Sequence, residues 1–104
     1  MYPPDLQTKE QMNEQLREIF IILQEECAEV IVEISKCLRF GPHQVLEGTE
    51  DSNIQKLQKE LGDLQAMITL LVDENVGVSV KNINKAKKKK FEKLKQWSNL
   101  KVNK

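Results

Sequence analysis

The sequence has little of the material from which β-rich, disulfide-linked or membrane-spanning proteins are built. Its 104 residues include only four glycines, three prolines and two cysteines. So few turn-forming residues argue against a many-stranded fold, and Cys27 and Cys37 alone supply neither a disulfide framework nor a zinc site. No apolar run approaches the roughly 18 residues that span a bilayer, and the N-terminus lacks the basic and apolar order of a signal peptide. These absences predict a cytoplasmic protein without a membrane segment.

What the sequence does contain is helical periodicity within one domain, residues 1–104. Hydrophobic residues make up 39% of the chain and charged residues 31%, which is too apolar for a disordered chain. The segment 41–49 is predicted to be a loop, and Gly77 is predicted to end a helix. We therefore predict an all-α helical bundle of about three main helices with a long first helix, completed by oligomerisation.

Capping residues predict where these helices begin. Thr8 and Gln11 have the spacing of a capping box, and Ser52 and Gln55 repeat it. Ser79 is a candidate N-cap for the third helix. The three predicted helices cover about 8–39, 52–74 and 79–97. The first would contain about 30 residues and measure roughly 45 Å, which is long for so short a chain.

The zero net charge hides two parts of opposite sign. Residues 1–78 carry 15 acidic and 6 basic side chains, a net charge of −9, whereas residues 79–104 carry 10 basic side chains and one acid, a net charge of +9. Such polarity suits a cation site that faces an anion-binding element. The alternative is a bundle whose acidic and basic helices attract one another.

The first predicted helix is apolar on two sides. Its broad arc contains Met12, Leu16, Ile19, Phe20, Leu23, Val30, Ile31, Ile34 and Leu38. Ile21, Ala28 and Val32 form a second strip on the opposite side. Because three helices of one chain would leave this strip in water, we expect another copy to cover it, in a homodimer or homotetramer.

Four acidic residues lie at positions where the helical periodicity predicts apolar side chains. At 100° per residue, Glu26 falls in the core-facing arc of the first helix, and Glu29 lies about 60° away. Glu60 and Asp63 repeat this arrangement on the second helix. Buried carboxylates cost several kcal/mol unless they are paired. The four acids therefore predict one of two kinds of partner. The first is a divalent cation, and because the ligands are oxygens it would be Mg²⁺ or Mn²⁺. The second is a set of lysine side chains. The available lysines are Lys36, Lys56 and Lys59.

The third helix shows the same anomaly with the opposite sign. Lys87 and Lys90 fall on its apolar side, near Ile83. Such lysines either extend along apolar surface to reach water or, with Asn84 one turn before Lys87, bind the phosphates of a ligand. Nucleic acid is a less favoured partner, because the lysine run lacks interleaved aromatic residues and the rest of the chain is acidic.

Two short segments make the chain similar to a known family. They are Glu25-Glu26-Cys27-Ala28-Glu29 and Glu60-Leu61-Gly62-Asp63. They resemble the EExxE and ExxD motifs of the MazG-type all-α nucleoside triphosphate pyrophosphohydrolases. Asn84 with Lys87 resembles an N-x-x-K element, so that the resemblance spans about residues 10–95. The compact loop at 39–41 and the segment 97–100 resemble small phage-encoded members.

The resemblance implies a metal site and a phosphate site. The implied metal ligands are Glu26, Glu29, Glu60 and Asp63. Glu25 is implied to orient a water molecule or a second cation, which makes all five acids candidate catalytic residues. The implied phosphate-binding residues are Asn84, Lys87 and Lys90, with Lys85 and Lys88 as alternatives if the match is shifted.

The implied activity is Mg²⁺-dependent hydrolysis of a nucleoside triphosphate between its α and β phosphates. Phosphoribosyl-ATP pyrophosphatase, dUTPase-like and dCTPase-like activities stay open, since the motifs do not select the base. Two alternatives come from other classes of protein. One is a non-catalytic helical interaction module with a vestigial or structural metal site, and the other is a nucleic-acid-binding protein that uses its basic third helix.

Overall fold

The computed structural model describes residues 12–104, which form three α-helices. They are α1 (Glu14–Phe40), α2 (Asn53–Asp73) and α3 (Val80–Trp97). The described residues form no strand, only an isolated bridge between Val45 and Ser52 in the α1–α2 loop. The all-α fold with three main helices and a long first helix is confirmed. From residue 12 onward, no helix has both the length and the apolar character needed to cross a bilayer.

Helix α1 begins later than the sequence predicts. Asn13 has an extended backbone (φ −70°, ψ 162°), and its Oδ1 accepts a hydrogen bond from the Leu16 amide at 2.7 Å, which makes Asn13 the N-cap. The helix therefore has 27 residues, and the prediction of a start at Thr8 is wrong because Met12 and Asn13 are not helical. Thr8 and Gln11 themselves lie outside the described residues.

The predicted caps of α2 and α3 are confirmed. Ser52 and Gln55 form a reciprocal capping box, in which the Ser52 amide donates to Gln55 Oε1 at 2.8 Å. Ser79 Oγ accepts from the Asn82 amide at 3.1 Å. Between α1 and α2, the buried Asn53 side chain donates to the Gly41 carbonyl at 2.9 Å and fastens the loop to the start of α2.

Helices α1 and α2 pack antiparallel as a hairpin, which we call the acidic hairpin (residues 14–73). At its open end Gln15 Nε2 donates to Glu74 Oε2 at 2.7 Å. Four side chains near this end form the buried core: Leu16, Ile19, Met67 and Leu71. Other members of the predicted arc, Met12, Leu23 and Val30, are partly buried, and the remainder is exposed. The exposed members are Phe20, Ile31, Ile34 and Leu38.

Helix α3 leaves the hairpin without packing along it. None of its 18 residues is buried, and among the described residues only α1 and α2 pack extensively against each other. Asn75 (φ 58°) and Gly77 (φ 102°) adopt left-handed backbone conformations in the connecting turn. The Cα radius of gyration is 17.5 Å, against about 13 Å for a compact domain of about 100 residues. A single copy is therefore much less compact than an ordinary domain of its size.

Candidate metal centre

The antiparallel packing of α1 and α2 brings acidic side chains of both helices together. Glu26 projects from the middle of α1, and Glu60 and Asp63 project from the middle of α2. One carboxylate oxygen from each of the three lies within 4.8 Å of the other two. Glu26 and Glu60 are half-buried, whereas Asp63 is exposed. We call these residues the carboxylate trio.

The two remaining sequence-predicted acids lie at the edge of this trio. Glu29 and Glu25 are both exposed. The negative charge of Glu29 acts on the trio, because Glu29 is one of the acids that raise the pKa of Glu60. The structure thus brings three of the four predicted ligands together and places Glu29 near enough to act on Glu60, whereas Glu25 is exposed and is not among the charges that act on Glu60.

The surroundings of Glu60 raise the pKa of its carboxyl group. Burial raises its pKa above the usual value most strongly, followed by the negative charges of Asp63, Glu26 and Glu29. A raised carboxylate pKa means that the ionised form of Glu60 is disfavoured in the folded chain. A positive charge placed among these side chains would remove that penalty.

No lysine neutralises the trio within residues 12–104. Lys36 pairs with Glu33 at 3.1 Å, Lys59 pairs with Asp51, and the third ion pair lies within α3. Two of the three lysines available as partners are therefore paired with other acids. The lysine-partner interpretation of the acidic residues thus has no support in the described part of the chain.

One atom of the trio is left without any partner. Glu26 Oε2 is buried and accepts no hydrogen bond from the described residues. A buried acceptor without a donor is costly, and few occur in folded proteins. Carboxylate oxygens are the ligands that Mg²⁺ and Mn²⁺ prefer. The donor set and the unsatisfied oxygen therefore fit a divalent cation.

Glu33 is a buried acid to which the sequence pattern gave no role. It lies seven residues after Glu26, so it faces α2 from the same side of α1. It is 7% exposed, and its Oε2 also lacks a partner from residue 12 onward, while Oε1 accepts from Lys36. The seven-residue spacing between Glu26 and Glu33 is the sequence feature that could have identified Glu33 as an inward-facing acid. Glu33 extends the row of inward carboxylates toward the loop end of the hairpin.

The predicted phosphate-binding residues lie on α3, and all are exposed. These residues are Asn84, Lys87 and Lys90. Lys87 lines an open cleft of about 450 Å³ between α2 and α3, together with Gln65, Ile68 and Ile83. Gln65 and Ile68 lie roughly 140° and 80° around α2 from Glu60. No ion pair joins Lys87 or Lys90 to the trio in the described chain.

Comparisons of the chain with protein-family models, with curated proteins and with solved structures give no match. The similarity to the MazG-type family therefore rests on the two acidic motifs and the N-x-x-K element alone.

Proposed function

We propose that the protein is a Mg²⁺-dependent nucleotide pyrophosphohydrolase of MazG type, with Mn²⁺ as a second candidate cation. Its substrate is a nucleoside or deoxynucleoside triphosphate, which it cleaves between the α and β phosphates to the monophosphate and pyrophosphate. The observation that carries the proposal is the meeting of Glu26, Glu60 and Asp63 between two packed helices. The buried and unpartnered Glu26 Oε2 supports it.

The spacing of the trio suits a small cation. The oxygens of Glu26, Glu60 and Asp63 lie within 4.8 Å of one another, so modest side-chain rotations would allow all three to contact one cation. Water and phosphate oxygens complete the coordination in sites of this kind.

Each side chain has a role that follows from its position. Glu26, Glu60 and Asp63 would hold the cation, which would supply neutralisation of phosphate charge and a more acidic water molecule. Glu29 lies exposed beside the trio, where its carboxylate accepts the proton of the attacking water, and it is better placed for this than Glu25. Lysines of α3 bind the phosphate chain and stabilise the departing pyrophosphate.

The proposal includes a homo-oligomer, either a dimer or a tetramer. Ile21 and Val32, of the second apolar strip, are 48% and 46% exposed in a single copy. With the exposed part of the α1 arc, they leave the acidic hairpin apolar on two sides. Apolar surface of this extent on a small domain marks an interaction site.

Release of pyrophosphate from a panel of canonical and modified nucleoside triphosphates tests this function. With Mg²⁺ or Mn²⁺ we expect equal amounts of pyrophosphate and monophosphate from at least one substrate, and no product in EDTA. Glu60→Gln and Asp63→Asn should each lower the rate at least about 100-fold while leaving the far-UV circular dichroism unchanged. Glu47→Gln, which removes an exposed acid of the α1–α2 loop, is the matched control and should keep the rate.

Two results would contradict the proposal. If Glu60→Gln and Asp63→Asn both kept the wild-type Mg²⁺-dependent rate, the trio would not be the catalytic site. If the wild-type chain bound Mg²⁺ or nucleotide and turned over no member of the panel, the non-catalytic interaction module would be favoured instead. Binding to nucleic acid with a steep salt dependence would favour the third alternative.

A further inference from the structure

Glu33 is the one buried acid among residues 12–104, and the proposed reaction gives it no role. Its Oε1 accepts a hydrogen bond from Lys36 Nζ at 3.1 Å, whereas its Oε2 is buried and accepts none in the same part of the chain. Because Lys36 already balances the charge of Glu33, a second cation is not required beside it. What Oε2 lacks is a neutral hydrogen-bond donor, since a buried acceptor without one is costly.

A small cavity lies beside this ion pair, where α1 and α2 meet the connecting loop. It measures about 130 Å³, and Lys36 lines it from α1 while Asn53 and Lys56 line it from α2. Phe40 and Leu46 give it an apolar wall. Pockets that hold a drug-sized ligand measure about 300–1,000 Å³. This cavity therefore suits a single planar group and not a whole nucleotide.

The side chains around the cavity suit the base of a nucleotide. Phe40 presents an aromatic ring, and Arg39 covers one face of it with Cζ 4.9 Å from the ring centroid, so that the other face is left for a planar ligand. Lys36 and Lys56 supply N–H donors, and Glu33 Oε2 supplies an acceptor. A base has both kinds of group side by side on its Watson–Crick edge, which proteins read by hydrogen bonds and stacking.

The cavity and the carboxylate trio lie along the same interface between α1 and α2. Glu33 follows Glu26 by seven residues, which is about 20° around α1 and about 10.5 Å along its axis. On the antiparallel α2, Asn53 precedes Glu60 by the same seven residues. The span from the α-phosphate of a nucleotide across its sugar to the far edge of its base has a similar length. A nucleotide whose α-phosphate lies on the trio can therefore place its base at the loop end of the hairpin.

The basic helix lies in the opposite direction from the trio. Lys87 lines its cleft with Gln65, which follows Glu60 along α2, whereas Asn53 precedes Glu60. Along the axis of α2, the trio thus lies between the cleft and the cavity. A triphosphate that extends from the trio toward α3 leaves its nucleoside to point toward Glu33.

We propose that Glu33 and the cavity beside it form the base-binding subsite of the enzyme. Glu33 Oε2 accepts an N–H of the Watson–Crick edge of the base. The partly exposed side chain of Lys36 shifts to admit the ring and donates to the neighbouring acceptor of the base. This inference rests on the function proposed above and makes Glu33 the residue that determines which substrates are preferred.

Substitution of Glu33 tests whether Oε2 reads the base. Because Lys36 keeps an oxygen at the Oε1 position, the amide of Glu33→Gln places an NH₂ group where Oε2 was. For the best substrate of the nucleoside triphosphate panel, kcat/KM should fall at least about 10-fold. The loss should be in KM more than in kcat, because Glu33 does not contact the reacting phosphates.

A substrate without a base separates this role from a structural one. Ribose 5-triphosphate has the same phosphates and sugar, so Glu33→Gln should hydrolyse it with the wild-type kcat/KM. Glu18→Gln, which removes an exposed acid of α1, is the matched control and should change neither substrate. Equal losses on the nucleotide and on ribose 5-triphosphate, or no loss on either, would overturn the base-binding role.

Binding of the reaction product gives a readout that needs no turnover. The nucleoside monophosphate of the preferred base, titrated in EDTA and followed by calorimetry, should bind wild type at least about 10-fold more tightly than Glu33→Gln. Ribose 5-phosphate should bind the two proteins equally. A monophosphate that bound through Glu33 in a chain without pyrophosphohydrolase activity would reject only the proposed function. An active enzyme whose product bound equally to wild type and Glu33→Gln would reject only the base-binding role.

Glu33→Met shows whether a loss of base recognition arises from unfolding. Methionine has a similar length and removes the unpartnered acceptor, while Lys36 is exposed enough to turn toward water. We expect a Tm at or above that of wild type, together with the same loss of preference for the nucleotide over ribose 5-triphosphate. A retained preference in this folded variant would overturn the assignment of Glu33.

Discussion

The acidic hairpin and α3 are both well-formed helical elements, but only the hairpin has a core. The hairpin has a reciprocal capping box, a loop fastened by Asn53 and a cluster of buried side chains. Helix α3 is capped just as well, by Ser79 at its start and by Ser98, whose Oγ donates to the Leu94 carbonyl at 2.7 Å. None of its residues is buried. Local sequence signals thus define where a helix begins and ends, while its position depends on what it packs against.

Matched isoleucine substitutions should give the largest difference in loss of stability between the hairpin and α3. Ile19 is 5% exposed in the hairpin core, and Ile83 is 37% exposed on α3. Ile19→Ala should lower the free energy of unfolding by about 2–4 kcal/mol. Ile83→Ala should lower it by less than about 1 kcal/mol, because this side chain is already partly exposed to water. Chemical denaturation measures both, and equal losses would show that α3 is as firmly packed as α1.

Mg²⁺ should stabilise the hairpin and not α3, because the trio lies between α1 and α2. A cation at 100 times its dissociation constant adds about 2.7 kcal/mol to the free energy of unfolding. We expect thermal scans to show a higher Tm in Mg²⁺ than in a sodium salt of equal ionic strength. Glu60→Gln should abolish this rise and Lys87→Ala should keep it. A Tm that is unchanged by saturating Mg²⁺ would contradict a preformed site.

The metal-free hairpin should become less stable as the pH rises through the range in which Glu60 ionises. Its pKa in the folded chain is raised above the usual 4.5, chiefly by burial and then by the neighbouring acids. Between these two pKa values the folded chain binds more protons than the unfolded chain, so the free energy of unfolding falls with increasing pH. Denaturation in EDTA across this window should show that slope. Glu60→Gln should flatten it, and an unchanged slope would assign the effect to other groups.

Substitution of the N-cap serines should give the smallest difference in stability between the hairpin and α3. Ser52→Ala removes the capping box of a packed helix and should cost about 1 kcal/mol of global stability. Ser79→Ala removes an equivalent cap from α3, which has no buried side chain. It should therefore fray the first turn of α3 and leave the midpoint of the main unfolding transition unchanged. Hydrogen exchange at the amides of residues 80–83 detects that fraying. A similar loss of global stability in both variants would mean that α3 unfolds together with the hairpin.

The features that could be predicted from the sequence are those set by neighbours along the chain. Ser52 with Gln55, and Ser79, indicated helix starts because a cap satisfies amides only two or three residues away. The inward acids were visible because 100° per residue fixes which side chains share a face. That Glu26 meets Glu60 follows once two such faces pack against each other.

The features that the sequence left open depend on contacts between distant residues. The apolar arc of α1 was expected to be core, yet Phe20 and Leu38 are exposed because α2 covers only part of it. A helical wheel gives the direction of a side chain but not the partner that covers it. The same applies to Lys87, whose face of α3 was predicted and whose position relative to the trio depends on the turn at Asn75 and Gly77. Asn13 was overlooked because Thr8 and Gln11 offered a competing cap.

The separation of charge along the chain also has a consequence for handling the protein. Its isoelectric point is near 6.6, so at neutral pH the net repulsion that keeps most proteins apart is almost absent. Opposite ends of different molecules nevertheless attract one another strongly. The solubility should therefore pass through a minimum near neutral pH, and moderate salt should increase it by screening that attraction. Low-salt buffers near pH 7 would favour precipitation, whereas 0.3 M NaCl should keep the protein dispersed.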